Sequence, residues 1–173
     1  MNTNEVRLRR PSPADVSLLD LWRADPVYAG EYNDFGLPPS ASYQQSIDDG
    51  SIIDDTGGLM VVEVSGKPVG TVSWRAVAYG PNPESRCWNI GISLVPEARG
   101  HGWGSLAQRR LGDLLFLTTP AQRIEASTDV TNYGEQRALE KAGFTREGVV
   151  RGAQYRAGEW HDLVLYGRVR TDP

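Results

Sequence analysis

One stretch constrains this chain more than any other. In Arg99-Gly100-His101-Gly102-Trp103-Gly104-Ser105 three glycines alternate and run straight into an amphipathic helix. Glycine costs conformational entropy, so a run of it at a helix start needs a reason. It reaches positive φ and leaves no Cβ between the backbone and a ligand. At a helix N-terminus, successive N–H groups then converge with the positive end of the dipole behind them, which suits phosphate. Arg99 adds a fixed positive charge at the lip. A tight strand-to-helix turn is the other reading of the same residues. The two common nucleotide motifs do not fit: no Lys follows Gly104, and Ser105 stands where a dinucleotide fingerprint needs its third glycine.

The periodicity on either side predicts a mixed α/β chain. Val6 to Arg10 alternates apolar and basic residues as a short strand, and Ser12, Pro13 and Asp15 then open a helix carrying Val16, Leu18, Leu19 and Trp22. Residues 26 to 58, rich in proline and glycine, read as loop with a short helix over about 41–49. Segments 59–64 and 69–77 form a hairpin around 65–68, and 79–86 is a loop. Residues 87–95 alternate Trp88, Ile90, Ile92 and Leu94 against small or polar partners as a half-buried strand. Ala107, Leu111, Leu114 and Leu115 stripe a helix over about 104–117. A strand at 123–128 precedes a helix at 134–142, capped by Gly143 with Phe144 packing back on Leu139. Strands near 147–156 and 161–169 close the chain.

At 173 residues the chain fits one domain with a real core, and 39% hydrophobic with 23% charged residues is ordinary for a soluble protein. The net charge of −4 disfavours a nucleic-acid partner. No apolar run is long enough for a membrane span, and the polar start does not read as a secretory signal, so a cytoplasmic location is expected. Cys87 cannot form an internal disulfide and reads as a packed strand residue rather than a nucleophile. With two histidines and that one cysteine, no metal site is expected.

Leu94 to Ser105, followed by Thr131 to Gly148, resembles the GNAT superfamily of acyl-CoA-dependent N-acyltransferases. Arg99, Gly102 and Gly104 match its R/Q-x-x-G-x-G/A signature. Asn132 with Glu140-Lys141-Ala142-Gly143-Phe144 is similar to the RimJ/RimL-like branch that acetylates ribosomal-protein N-termini, as is the closing hairpin over 158–166. The resemblance spans about residues 5 to 170.

It implies a mostly antiparallel twisted sheet, flanked by helices and splayed between strands 87–95 and 123–128. It implies acetyl-CoA as co-substrate, its pyrophosphate on the N–H groups of Gly100 to Ser105 (with Arg99 at the lip and His101 and Trp103 along the outer path), its pantetheine arm paired with Leu94 and Val95, and Asn132 bonded to that arm. The Val95 N–H is expected to receive the oxyanion of direct amine attack on the thioester. Two departures bear on proton transfer: Leu139 stands where many members carry a Tyr acid, and Asn89 where many carry a Glu. The candidate proton carriers are then Asp162, His161, Glu31 and Asp34. Acidic residues between 28 and 58 suggest a cationic amine, with Glu31, Asp34 and Asn89 at the acceptor site. Three functions follow: acetylation of a protein or peptide N-terminus, acetylation of a small cationic amine (polyamine, amino acid or aminoglycoside-like), or a non-catalytic acyl-CoA-binding module. Homodimers are common among such proteins. Valine at Gly102 or Gly104 is expected to abolish coenzyme binding in a folded protein.

Overall fold

The computed structural model describes residues 6–36 and 41–172. Positions 37–40, within the expected loop, and the first five residues lie outside them. Strands β1 (Val6–Arg9), β2 (Gly57–Val64), β3 (Lys67–Ala78), β4 (Arg86–Leu94), β5 (Arg123–Asp129), β6 (Thr145–Arg156) and β7 (Glu159–Val169) form one sheet ordered β1-β2-β3-β4-β5-β7-β6. Every neighbouring pair is antiparallel except β4 and β5. Helices α1 (Val16–Ala24), α2 (Pro26–Ala29) and α3 (Gln44–Asp48) precede β2, while α4 (Trp103–Thr118) and α5 (Tyr133–Lys141) flank β5.

The expected mixed, mostly antiparallel sheet is therefore present. Helix α2 was not foreseen, because four residues behind Pro26 are too short to show a period. The helix expected over 41–49 contracts to five residues, and β6 and β7 each begin two residues before their expected starts.

The β4–β5 junction shapes the molecule. Strand β4 pairs with β3 along its whole length, from Ala78↔Arg86 to Gly70↔Leu94. Against β5 it pairs only at Trp88↔Ile124, Asn89↔Glu125 and Ile90↔Ala126. Beyond Ala126, β5 stays with β7 through Asp129↔Leu163. The last four residues of β4, Gly91 to Leu94, thus have no strand on that side.

The core packs one sheet face against α4 and α5. Val72, Ile90, Ile124 and Tyr166 from the sheet meet Ala107, Leu111 and Leu139, all nearly or fully buried. Helix α5 ends as its sequence suggests: Gly143 adopts φ +94°, the Phe144 N–H bonds the Leu139 carbonyl at 3.0 Å, and both side chains are buried. Among the described residues no helix is long and apolar enough to cross a membrane.

Candidate functional site

The splay opens a cleft of about 530 Å³ between β4 and β5, which reaches the glycine turn at the head of α4. Ile92 and Leu94 line one wall, Ser127 to Asp129 the other, and Gly100, Gly102, Gly104 and Ser105 one end. The Val95 N–H donates to the Val69 carbonyl at 3.0 Å. Strand alternation then turns the N–H and C=O groups of Leu94 and Ile92 away from β3, toward the open side. The expectation for Val95 is corrected here: its N–H is committed to the sheet and cannot receive an oxyanion. The slot-edge groups belong to Leu94 and Ile92.

The glycine turn has the geometry its composition suggests. Gly100 and Gly102 sit at φ +78° and +79°, and Gly102 caps α4 in the left-handed region. Ala98 is buried beneath the turn, while Gly104 enters the helix with an ordinary φ. Arg99 lines the cleft, but its guanidinium spans two backbone segments. Nε donates to the Leu94 carbonyl at 2.9 Å and Nη2 to the Tyr28 carbonyl of α2 at 2.8 Å. It therefore occupies a slot-edge acceptor and ties α2 to the end of β4. His101 and Trp103 stack on each other, ring centroids 4.6 Å apart, and neither is among the residues lining the cleft.

Other expected residues divide. Asn132 lines the cleft, but its side chain caps α5: Oδ1 accepts from the Glu135 N–H at 3.2 Å and Nδ2 donates to Thr128 Oγ1 at 3.0 Å. Glu31 lines the cleft. Asp34 does not; its carboxylate accepts from the Gly36 N–H in a local turn. Asp49 and Asp54 likewise close turns on Ser51 and Thr56, so those acids are local turn formers rather than an acceptor surface.

Asn89 lies outside the cleft, donating to Glu125 Oε1 at 3.3 Å across the paired part of β4 and β5. Asp162 is also outside it: its carboxylate holds the Gly152 N–H at 2.7 Å, where β6 bulges against β7. His161 has both ring nitrogens facing acceptors, Asp129 Oδ2 at 3.1 Å and the Arg156 carbonyl at 3.1 Å. It braces β7 and is not among the residues lining the cleft. Cys87 is buried, and burial first, then the charge of Glu125, push its thiol up to about 11.

Two clusters were not foreseen. Asp129 lines the cleft and accepts from the Thr131 N–H at 2.8 Å, from Thr131 Oγ1 at 2.7 Å and from Arg156, and faces His161 Nδ1 at 3.1 Å. Burial works to raise its carboxyl, and those donors outweigh it, holding the group below the usual carboxylate range. Arg156 reaches on to the Glu31 carbonyl and lies over the Tyr32 ring, 5.3 Å from its centroid. Segment 29–33 is thus pinned at one end by Arg156 and at the other by Arg99. The second cluster is Glu135, a cleft residue one turn into α5. Burial pushes its carboxyl up to about 7, against a smaller opposing contribution from Gln108. Buried Gln108 leaves its Oε1 without a partner. Nothing in the sequence pattern singled out Glu135, since its environment depends on Gln108 of α4. Among the described residues no group of three His, Cys, Asp or Glu could hold a metal ion.

Comparison with known proteins agrees with this architecture. The probable N-acetyltransferase YjcK of Bacillus subtilis is 38% identical over 104 residues, 60% of this chain and 56% of that protein. The chain spans about half the length of the first two curated relatives it matches. Among solved structures, the ribosomal-protein-S5-alanine acetyltransferase from Vibrio fischeri superposes with a TM-score of 0.80 at 20% identity, covering 97% of this chain and 94% of that one. The aminoglycoside acetyltransferase AAC(6')-Ib, in complex with coenzyme A and kanamycin, superposes with a TM-score of 0.73 at 22% identity and 95% coverage of each chain. The family model described as an acetyltransferase (GNAT) domain matches residues 5–145, and the chain belongs to that family.

Proposed function

We propose that the chain is an acyl-CoA-dependent N-acetyltransferase whose acceptor is the α-amine of a peptide or protein. One observation carries the reading: the slot beside Ile92 and Leu94 ends on the positive-φ glycine turn that caps α4. A ligand fitting both parts needs a diphosphate at one end and an extended amide chain at the other, and coenzyme A has that form. N–H groups of the turn hold the phosphates. The unpaired edge of β4 takes the amide arm as an added strand and lays the thioester along the slot.

Attack by the amine on the thioester carbonyl forms the C–N bond and a tetrahedral oxyanion. Its collapse breaks the C–S bond and expels the thiolate, which takes up a proton. The chain's part is positioning, oxyanion stabilisation by slot-edge N–H groups, and exclusion of water. Leu139 is fully buried in the core, so position 139 supplies no acid. Asp129, engaged by both Thr131 donors and by Arg156, is poorly placed to act as a base. An α-amine, with an ordinary pKa near 7.7–8.0 against about 10.4 for lysine, is already partly neutral near pH 7.5 and needs the least help. That favours an N-terminal acceptor over a lysine or polyamine, as does the resemblance of the closing hairpin to the RimJ/RimL-like branch. The test is thiol release from acetyl-CoA across N-terminal peptides, N-blocked lysine peptides and polyamines. Preference for peptides with a free α-amine supports the reading; preference for the lysine or polyamine acceptors rejects it, and absence of turnover with all of them favours a binding module.

A further inference from the structure

A second cavity, of about 170 Å³, adjoins the main cleft beside α2, over the sheet face that carries Thr71 and Ser93. The rings of Trp22, Tyr28 and Tyr43 line it, and it shares Ala29, Asn33 and Ser93 with the main cleft. Its volume is roughly that of six waters, room for one large side chain. The two cavities therefore meet at the end of β4, beside α2. That junction is fixed by the cleft itself: the Arg99 guanidinium holds the Tyr28 carbonyl and the Leu94 carbonyl together.

The charge at this second cavity is compensated. Arg23 lies over the Tyr43 ring, 4.3 Å from its centroid, and pairs with Asp20 at 3.4 Å. Among the described residues no carboxylate lines the cavity, and the nearby Asp20 is already held by Arg23, Ser42 Oγ and the Tyr43 N–H. A cationic group there would meet Arg23 and would have to compete with it for Asp20. An apolar or aromatic group would be desolvated against three rings. The geometry points to this cavity as the acceptor's specificity pocket, taking an aromatic or large aliphatic group attached next to the reacting amine. This rests on the acetyl-transfer reading of the cleft and adds the class of acceptor.

The test measures thiol release from acetyl-CoA with matched acceptors: tripeptides beginning with Phe, Leu, Gly or Asp, and phenylethylamine against ethylamine. Coenzyme A affinity is measured in parallel by calorimetry. The expected result is a kcat/KM at least about 10-fold higher for the Phe, Leu and phenyl members, the discrimination a hydrophobic pocket reaches. Thr71→Phe, which fills the cavity from the sheet, should remove that preference and leave coenzyme A affinity unchanged. Tyr28→Ala, which removes a wall, should reduce it should the first variant fail to fold. Equal turnover of Gly- and Phe-initiated peptides, or a preference that survives in a folded variant, overturns the pocket. Coenzyme A bound with no acceptor turned over also overturns it. A chain that binds no coenzyme A overturns the underlying reading instead.

Discussion

Substitutions at Gly104 separate the cost of folding from the cost of binding. A Cβ built there meets Leu94 Cδ1 at 3.5 Å and Ile92 Cδ1 at 3.7 Å, ordinary contact distances, and the backbone is helical. Gly104→Ala should therefore stabilise the protein by about 0.5–1 kcal/mol, the usual helical gain over glycine. For a chain of this size that is a rise in melting temperature of roughly 1–4 °C. The superfamily signature admits Ala at this position, so coenzyme A affinity should hold within a few-fold. Gly104→Val has a helix propensity near that of glycine, so its stability should stay within about 1 kcal/mol of the parent. Its γ-methyls, however, are expected to add bulk beside Leu94 and Ile92 where all three positions line the cleft. Inserting such a group against a fitted ligand costs about 1–3 kcal/mol, or roughly 5- to 150-fold in affinity. Calorimetric titration with coenzyme A, paired with scanning calorimetry, reads both quantities. A folded Val variant that binds coenzyme A as tightly as the Ala variant would refute the placement of the diphosphate. The same substitution at Gly102 cannot make this separation. At φ +79° any L side chain is strained whatever space surrounds it, by about 1–2 kcal/mol. The expectation that both valines leave the fold intact is therefore best tested at Gly104, where no backbone strain enters.

Three other outcomes follow from the geometry. The Glu135 carboxyl sits near 7 in the folded state, so the native protein holds a proton that the unfolded chain releases from about pH 4.5 upward. Stability should fall by up to about 3 kcal/mol as pH rises through that window, and Glu135→Gln should flatten the fall; urea unfolding at pH 5 and pH 8 with the same difference in both proteins would contradict this. Asn132→Ala removes the α5 cap and should cost about 1 kcal/mol in ligand-free protein; an unchanged melting temperature would show that the cap contributes nothing. Cys87, buried and with its thiol raised to about 11, should resist iodoacetamide at pH 7.5 until the protein unfolds, and rapid labelling of native protein would contradict its burial.

Features legible in the sequence are those whose cause lies within a few residues. The α5 cap needs only Leu139, Gly143 and Phe144, and each behaves as its spacing suggests. The stripe on α4 is buried at Ala107, Leu111 and Leu115, with Leu114 half-exposed at its margin. The alternation of β4 puts Ile90 in the core and leaves Asn89 on the other face. The glycine turn was readable because a positive φ and an absent Cβ are local properties of three residues.

Side-chain partners could not be read where the partner arrives from far along the chain. Arg99 meets Tyr28, 71 positions earlier, and Asn89 meets Glu125, 36 positions later. Asp162 is taken by a bulge in β6. Which of Leu94 and Val95 offers its N–H to the slot depends on the register of β3 against β4, and that flips with a one-residue slip. The sequence by itself determined a mixed α/β chain with a glycine turn at the head of α4, because periodicity and backbone freedom are carried by neighbouring residues. Only the tertiary structure decided where β4 and β5 part, which backbone groups stay unpaired, and which charged side chains are already occupied. Those depend on strand pairing and on contacts between residues distant in sequence, and no short stretch of the chain encodes either.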